Sequence, residues 1–164
     1  MDIFTDGSFK KLKNKTKLCG YGIHWPGGEF PDIGKPFIYP PMTNQRAELY
    51  AILKALKIVH RSRKNNININ NNNITITIYT DSEYSIKCFT QWYKTWELND
   101  WKNSNNEPVK NQDIIKPVVK YLKKNNNYIK FKHVRSHTGK QDYESLGNEK
   151  ADKLALLGAG LSIN

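Results

Sequence analysis

Apolar and polar positions alternate along the chain in two distinct rhythms. Ile3-Phe4-Thr5 reads as a short strand, residues 19–25 as a second closed by the turn residues Pro26-Gly27-Gly28, and residues 33–38 as a third. Such close connections predict antiparallel pairing, because a parallel pair needs a crossover of about a dozen residues. From Asn44 onward Leu49, Ile52, Leu53, Leu56 and Val59 recur at helical spacing, with Thr43 or Asn44 as N-cap. Residues 74–78, Ile-Thr-Ile-Thr-Ile, alternate strictly and predict a half-buried strand. The helix between two strands implies a right-handed crossover and parallel pairing with the first strand. Residues 82–96 read as helix and 101–110 as loop. Residues 111–124 carry Ile114, Ile115, Val118, Val119 and Leu122 on one helical face, with Pro117 expected to kink that helix or mark its first turn. Residues 128–135 predict a fifth strand and residues 148–157 a terminal helix closed by Gly158 and Gly160. The order is βββαβαβα with some helix subdivision: an α/β chain.

One tract breaks the rhythm. Residues 65–73, NNININNNN, are too polar to bury a core face and predict an Asn-rich surface loop, not a domain boundary. The 164 residues, 38% apolar, then fit a single domain with one core. A net charge of +11 points to an acidic partner such as nucleic acid, with simple surface solubility as the bland alternative. The two cysteines, Cys19 and Cys88, have no metal-knuckle or disulfide spacing and fit a reducing, intracellular compartment, cytoplasm or nucleus. No signal or transit peptide is read at the N-terminus, and no apolar stretch approaches the roughly 20 residues that cross a bilayer.

Chemistry enters through a repeat. Ile3-Phe4-Thr5-Asp6 and Ile78-Tyr79-Thr80-Asp81 each run from apolar strand into Thr-Asp. If those strands are parallel neighbours, both carboxylates emerge at the carboxyl end of the sheet, where open α/β folds bind ligands. An Asp that merely caps a turn is the ordinary alternative. Glu48 borders the buried helical stripe of Ile52, Ala55 and Val59, and Asp152 lies beside Ala151, Leu154 and Ala155. Four acids gathered there would repel one another without a cation. Hard oxygen donors suit Mg²⁺ or Mn²⁺, which can clamp a phosphodiester between two ions. His133 reads as a strand residue, whereas His137 follows the strand in the turn Ser136-His137-Thr138-Gly139.

These motifs resemble ribonuclease H of type 1. The resemblance spans nearly the whole chain and rests on IFTDGS at the start, TNQRAEL at 43–49, YTDSEY at 79–84, and HTG followed by GNEKAD at 147–152. It implies an RNase H-like fold, a five-stranded mixed sheet of three antiparallel then parallel strands flanked by helices. The implied activity is endonucleolytic hydrolysis of the RNA strand of RNA/DNA hybrids, leaving 5′-phosphate and 3′-hydroxyl ends, by a monomer using two Mg²⁺ ions, with Mn²⁺ as a substitute. The resemblance makes Asp6 the acid that bridges the ions, with Asp152 on the nucleophile side and Glu48 and Asp81 on the other. It gives His137 a part in proton movement or product release.

On the substrate side the resemblance assigns Gly7 and Ser8, the amides of Asn44 and Gln45 for the RNA 2′-hydroxyl, Thr43 and Asn111 for a DNA phosphate, and Tyr84, Trp92 and Trp96 for sugars. Residues 92–111 match the family's substrate-binding handle, and 159–164 form a tail. The chain departs from the pattern where Glu97-Leu98-Asn99-Asp100 replaces basic residues in the handle and where Pro41 stands at a common Arg position. A related polynucleotidyl transferase and a non-catalytic hybrid-binding protein are the two other readings.

Overall fold

The structure, a computed structural model, describes residues 1–65, 74–125 and 128–161. Of the expected Asn-rich loop over 65–73 only Asn65 is among them, as the last residue of a helix, and residues 162–164 of the tail also lie outside.

Five strands, β1 (Asp2–Lys11), β2 (Lys17–His24), β3 (Ile33–Pro36), β4 (Ile76–Thr80) and β5 (Ile129–His133), form one sheet in the order β3-β2-β1-β4-β5. β1, β2 and β3 pair antiparallel, and β1, β4 and β5 pair parallel, as the connection lengths predict. β1 is far longer than its three apolar residues. It runs on through a lysine stretch because β2 pairs with it out to Lys11 opposite Lys17, so the backbone ladder and not side-chain burial sets its length.

α1 (Asn44–Asn65) is capped by Thr43, whose Oγ1 accepts from the Arg46 backbone N–H at 3.1 Å. The helical stretch expected over 82–96 is divided: α2 (Glu83–Lys87), a π-helical turn (Cys88–Trp92) and α3 (Tyr93–Leu98). π-turns of this kind often mark functional sites. In α4 (Gln112–Lys124) Pro117 is the sixth residue, neither end nor first turn, and the apolar stripe from Ile114 to Leu122 carries the helix past it. α5 (Tyr143–Gly158) begins five residues before the expected start, because Asp142 caps it by accepting from the Ser145 N–H at 2.8 Å. Gly160, at φ +76°, closes α5: its N–H donates to Leu157 O at 3.0 Å, and Leu161 N–H donates to Leu156 O at 2.9 Å. Gly158 belongs to the helix itself, pressed on the Lys35 backbone.

The two faces of the sheet are covered differently. Ile3, Ile23 and Ile78 meet Leu49, Ile52, Leu56, Ile115 and Val118 in the main core beneath α1 and α4. On the other face Phe4 stacks on Tyr79 with ring centroids 4.5 Å apart, and Val134 and Ala151 complete a smaller cluster under α5. There α5 lies directly on strand backbone: a Cβ at Gly20, Gly22 or Gly34 would collide with main-chain atoms of Ala155, Ala151 or Leu154. Those glycines admit the helix that carries Asp152. Among the described residues no helix is long and apolar enough to cross a membrane, and both cysteines are buried and free.

Candidate active site

The parallel register of β1 and β4 pairs Asp2 with Thr77, Ile3 with Ile78 and Phe4 with Tyr79. Two residues further along, the same register brings Asp6 level with Asp81. Strand alternation puts Asp6 on the face of Phe4 and Ser8, toward α5, and Gly7 on the opposite face. A Cβ at Gly7 would stand 2.6 Å from the Glu48 backbone nitrogen, so the absence of a side chain there lets the first turn of α1 press onto β1 and bring Glu48 to Asp6. Carboxylate oxygens of Asp6, Glu48 and Asp81 lie within 4.8 Å of one another. Asp152, half-buried on α5, stands outside that tight group, yet its charge acts on all three.

Burial dominates the electrostatics. Asp6 and Glu48 are 3% and 4% exposed. Desolvation, followed by the charges of Glu48, Asp81 and Asp152, holds Asp6 well above the ordinary carboxylate range. Glu48 is pushed up to about 8, again by burial first, with Asp81 and Asp152 adding to the effect. Burial also raises Asp81; a hydrogen bond from Asn148 and the nearby His137 and His133 oppose the rise. Among the described residues, the buried Oε2 of Glu48 finds no hydrogen-bond partner. Crowded, desolvated carboxylates with an orphaned oxygen lack positive charge, and an all-oxygen donor set fits a hard divalent cation.

Around this centre the groups expected to meet substrate are exposed or half-buried, with the exception of Ser8. Thr43, Asn44 and Gln45 project from the start of α1. Tyr84, Trp92, Trp96 and Trp101 form a continuous row, with successive centroids 5.9, 5.9 and 6.1 Å apart, and Lys116 Nζ lies 5.1 Å from the Trp101 centroid. Asn111, at φ 65°, donates to Tyr84 Oη at 2.9 Å. On the other side of the acids, His137 adopts φ 52° in a turn tied to α5 by Thr138 Oγ1 donating to Ser145 Oγ at 3.0 Å. It lines a cavity of about 560 Å³ together with Arg135, Lys140, Asn148, Asp152 and Lys153. Ser8 is buried in β1 behind Asp6.

Residues 1–160 match the RNase H family. The chain belongs to the ribonuclease H family. It is 40% identical over 136 residues to a probable ribonuclease H of Acanthamoeba polyphaga mimivirus, covering 83% of this chain and 56% of that protein. Against ribonuclease HI of Rickettsia conorii it is 38% identical over 168 residues, covering 98% of this chain and 91% of that protein. The chain spans about half the length of the first of its curated relatives. Among solved structures, a foamy viral protease-reverse transcriptase in complex with an RNA/DNA hybrid superposes with a TM-score of 0.72 at 25% identity, over 96% of this chain and 20% of that one.

Two residues of this ribonuclease H site were not singled out from the sequence. Asn148, 3% exposed and one turn before Asp152, donates from Nδ2 to Asp81 at 3.4 Å, while its buried Oδ1 has no partner among the described residues. Arg46, also 3% exposed, grips Asp113 with both guanidinium nitrogens at 2.8 Å and reaches Asn111 Oδ1 at 3.4 Å. This fork holds the start of α4, and with it Asn111 and the Tyr84 hydroxyl, against the start of α1. An Arg on the buried side of a helical first turn and an Asn at i−4 from an acid were the available signals.

Proposed function

We propose that the chain is an endonuclease that hydrolyses the RNA strand of RNA/DNA hybrids, leaving 5′-phosphate and 3′-hydroxyl ends. The observation that carries this reading is one of placement. Three desolvated carboxylates converge at the middle of β1, beside the end of β4, and exposed amides and a row of aromatic rings surround them on the same chain. Every group named here comes from one chain, which fits the reading of a monomer. The foamy viral structure with bound hybrid supports the substrate class.

In this reading Asp6, Glu48, Asp81 and Asp152 hold two Mg²⁺ ions, with Mn²⁺ as a substitute. When bound, the metal lowers the pKa of water and stabilises charge on the phosphodiester. The protein's own groups do the rest. Asn148 orients Asp81. His137, beyond Asp152 in an open cavity, moves a proton between the reacting centre and solvent, a task suited to imidazole. Asn44 and Gln45 offer paired donors and acceptors to a 2′-hydroxyl, which is itself both. Thr43 and Asn111 hold a phosphate of the DNA strand, Tyr84, Trp92 and Trp96 pack on its sugars, and Gly7 and Ser8 line the floor beside Asp6. Residues 92–111 serve as the substrate-binding handle.

The test is a labelled hybrid incubated with the protein and Mg²⁺, with and without excess EDTA, beside the matching duplex DNA. Metal-dependent cuts confined to the RNA strand are expected. Undiminished cutting in EDTA, or cutting of duplex DNA in preference to hybrid, would overturn the proposal.

A further inference from the structure

We propose that the lysine-bearing tip of the β1–β2 hairpin is a second grip on the substrate, binding the phosphate backbone of the hybrid beyond the reacting centre. The inference rests on the hybrid-cleaving reading above. β1 does not stop at Asp6 but continues five residues to Lys11, a reach of about 16 Å at strand rise, past the rim where β4 ends. β2 flanks β1 on the side away from β4, the strand that leads into the aromatic row, so the hairpin and that row leave Asp6 in different directions.

The tip is built to hold a shape. Leu12 N–H donates to Thr16 O at 2.8 Å, Lys15 N–H to Leu12 O at 2.9 Å, and Thr16 N–H to Asn14 Oδ1 at 3.1 Å. Its stem is fastened beside the amides of Asn44 and Gln45, because Cys19 Sγ, in β2, lies 3.7 Å from Thr43 O. On this frame Lys10, Lys11, Lys13, Lys15 and Lys17 are all exposed, and among the described residues none has a carboxylate partner. Lys11 and Lys17 stand directly opposite each other across the strands, a like-charge pairing that disfavours the hairpin.

The charge also sits where the handle lacks it. Residues 92–111 contain three lysines and three acids, whereas residues 10–17 contain five lysines and no acid. A rigid element carrying five unpaired cations beside the amides and past the acids is matched by a polyanion lying across the site. The phosphates of the hybrid itself are that polyanion.

The experiment compares a variant with Lys10, Lys11, Lys13, Lys15 and Lys17 all changed to Gln against a charge-matched control with Lys57, Lys64, Lys120, Lys124 and Lys130 changed to Gln. The control lysines are exposed on the far halves of α1 and α4 and at the start of β5. Hybrid affinity is measured across about 50 to 200 mM salt with Asp6→Asn also present, so that substrate is not consumed; each phosphate contact contributes roughly 0.9 to the slope of log affinity against log salt. The hairpin variant should lose about 2 to 3 from that slope and bind at least about tenfold more weakly at the lowest salt, while the control changes the slope by less than about 1. With an intact active site, the hairpin variant should keep its kcat at saturating hybrid and show a raised KM. Equal slopes for hairpin variant and parent, or an equal loss in the control, would overturn the proposal. Since the parent is assayed alongside, a parent that neither binds nor cuts hybrid removes the functional reading as well, whereas an active parent with an unaltered hairpin variant removes only the hairpin.

Discussion

The acid cluster and the aromatic row lie side by side but are built on opposite physical terms. Asp6 and Glu48 are withdrawn from water, Asp81 is half-buried, and the three are crowded within 4.8 Å, a placement that works against the metal-free fold. The row from Tyr84 to Trp101 is half-buried or exposed, and its segment carries as many acids as lysines. Chemistry at the first region depends on burial and a fixed register. Grip at the second depends on ring faces that water can reach, and such surface is easily altered without harm to the core. The difference teaches that the centre should respond to substitution in rate and the rim in affinity.

The largest expected effect is on rate at the centre. Asp6→Asn should lower cleavage by about 10³-fold or more, the scale on which loss of a few kcal/mol of charge stabilisation acts, while hybrid binding is kept. A single-turnover assay with saturating hybrid checks it, and a loss confined to KM would erase the contrast between the two regions.

Next is affinity at the rim. Trp92→Ala should weaken hybrid binding by roughly 5- to 150-fold, the range for one lost base or sugar stack of about 1–3 kcal/mol, with kcat at saturation little changed. Equilibrium binding and kcat measured on the same preparation would separate grip from chemistry.

A third effect is on stability and has a definite sign. Burial raises the carboxyls of Asp6, Glu48 and Asp81 in the folded state, so the folded protein binds more protons than the unfolded chain. Their contribution is most favourable below the ordinary carboxylate range and is lost as pH rises toward about 8, the raised value of Glu48. In the absence of metal, Asp6→Asn should therefore melt at a higher temperature than the parent, with the gap widening from pH 5 to pH 8. Added Mg²⁺ should raise the parent's Tm more than the variant's. Melting curves at three pH values, with and without the ion, test both statements.

The smallest effect sharpens the account of the rim's charge. Glu107 is exposed and has no ion-pair partner among the described residues, so Glu107→Lys should tighten hybrid binding a few-fold at low salt and steepen the salt slope by at most about 0.9. An unchanged slope would place that part of the segment off the substrate.

Much was legible in the amino-acid order because the relevant physics is local. A period of two in residues 74–78, a period of 3.6 after Asn44, and Thr-Asp after two apolar runs identify elements; Asp81 does follow the end of β4, whereas Asp6 falls in the middle of the longer β1. Short connections dictate antiparallel pairing and an intervening helix dictates parallel pairing, so the mixed sheet followed from chain lengths alone. Local rules misjudged the length of β1 and the start of α5, where a ladder partner and the Asp142 cap overrode them, and Pro117 falls inside α4 and not in its first turn.

What only the tertiary structure decided are the contacts between residues far apart in the chain. The register that levels Asp6 with Asp81, the bare Gly7 that admits Glu48, and the glycine floor under α5 that admits Asn148 and Asp152 all join separate elements. So does the Arg46 fork on Asp113, 67 residues away, which ties Asn111 to the start of α1. Periodicity shows which side of an element is apolar. It carries no information on which neighbour meets that side or at what height, because docking is set by side-chain volumes from several segments at once.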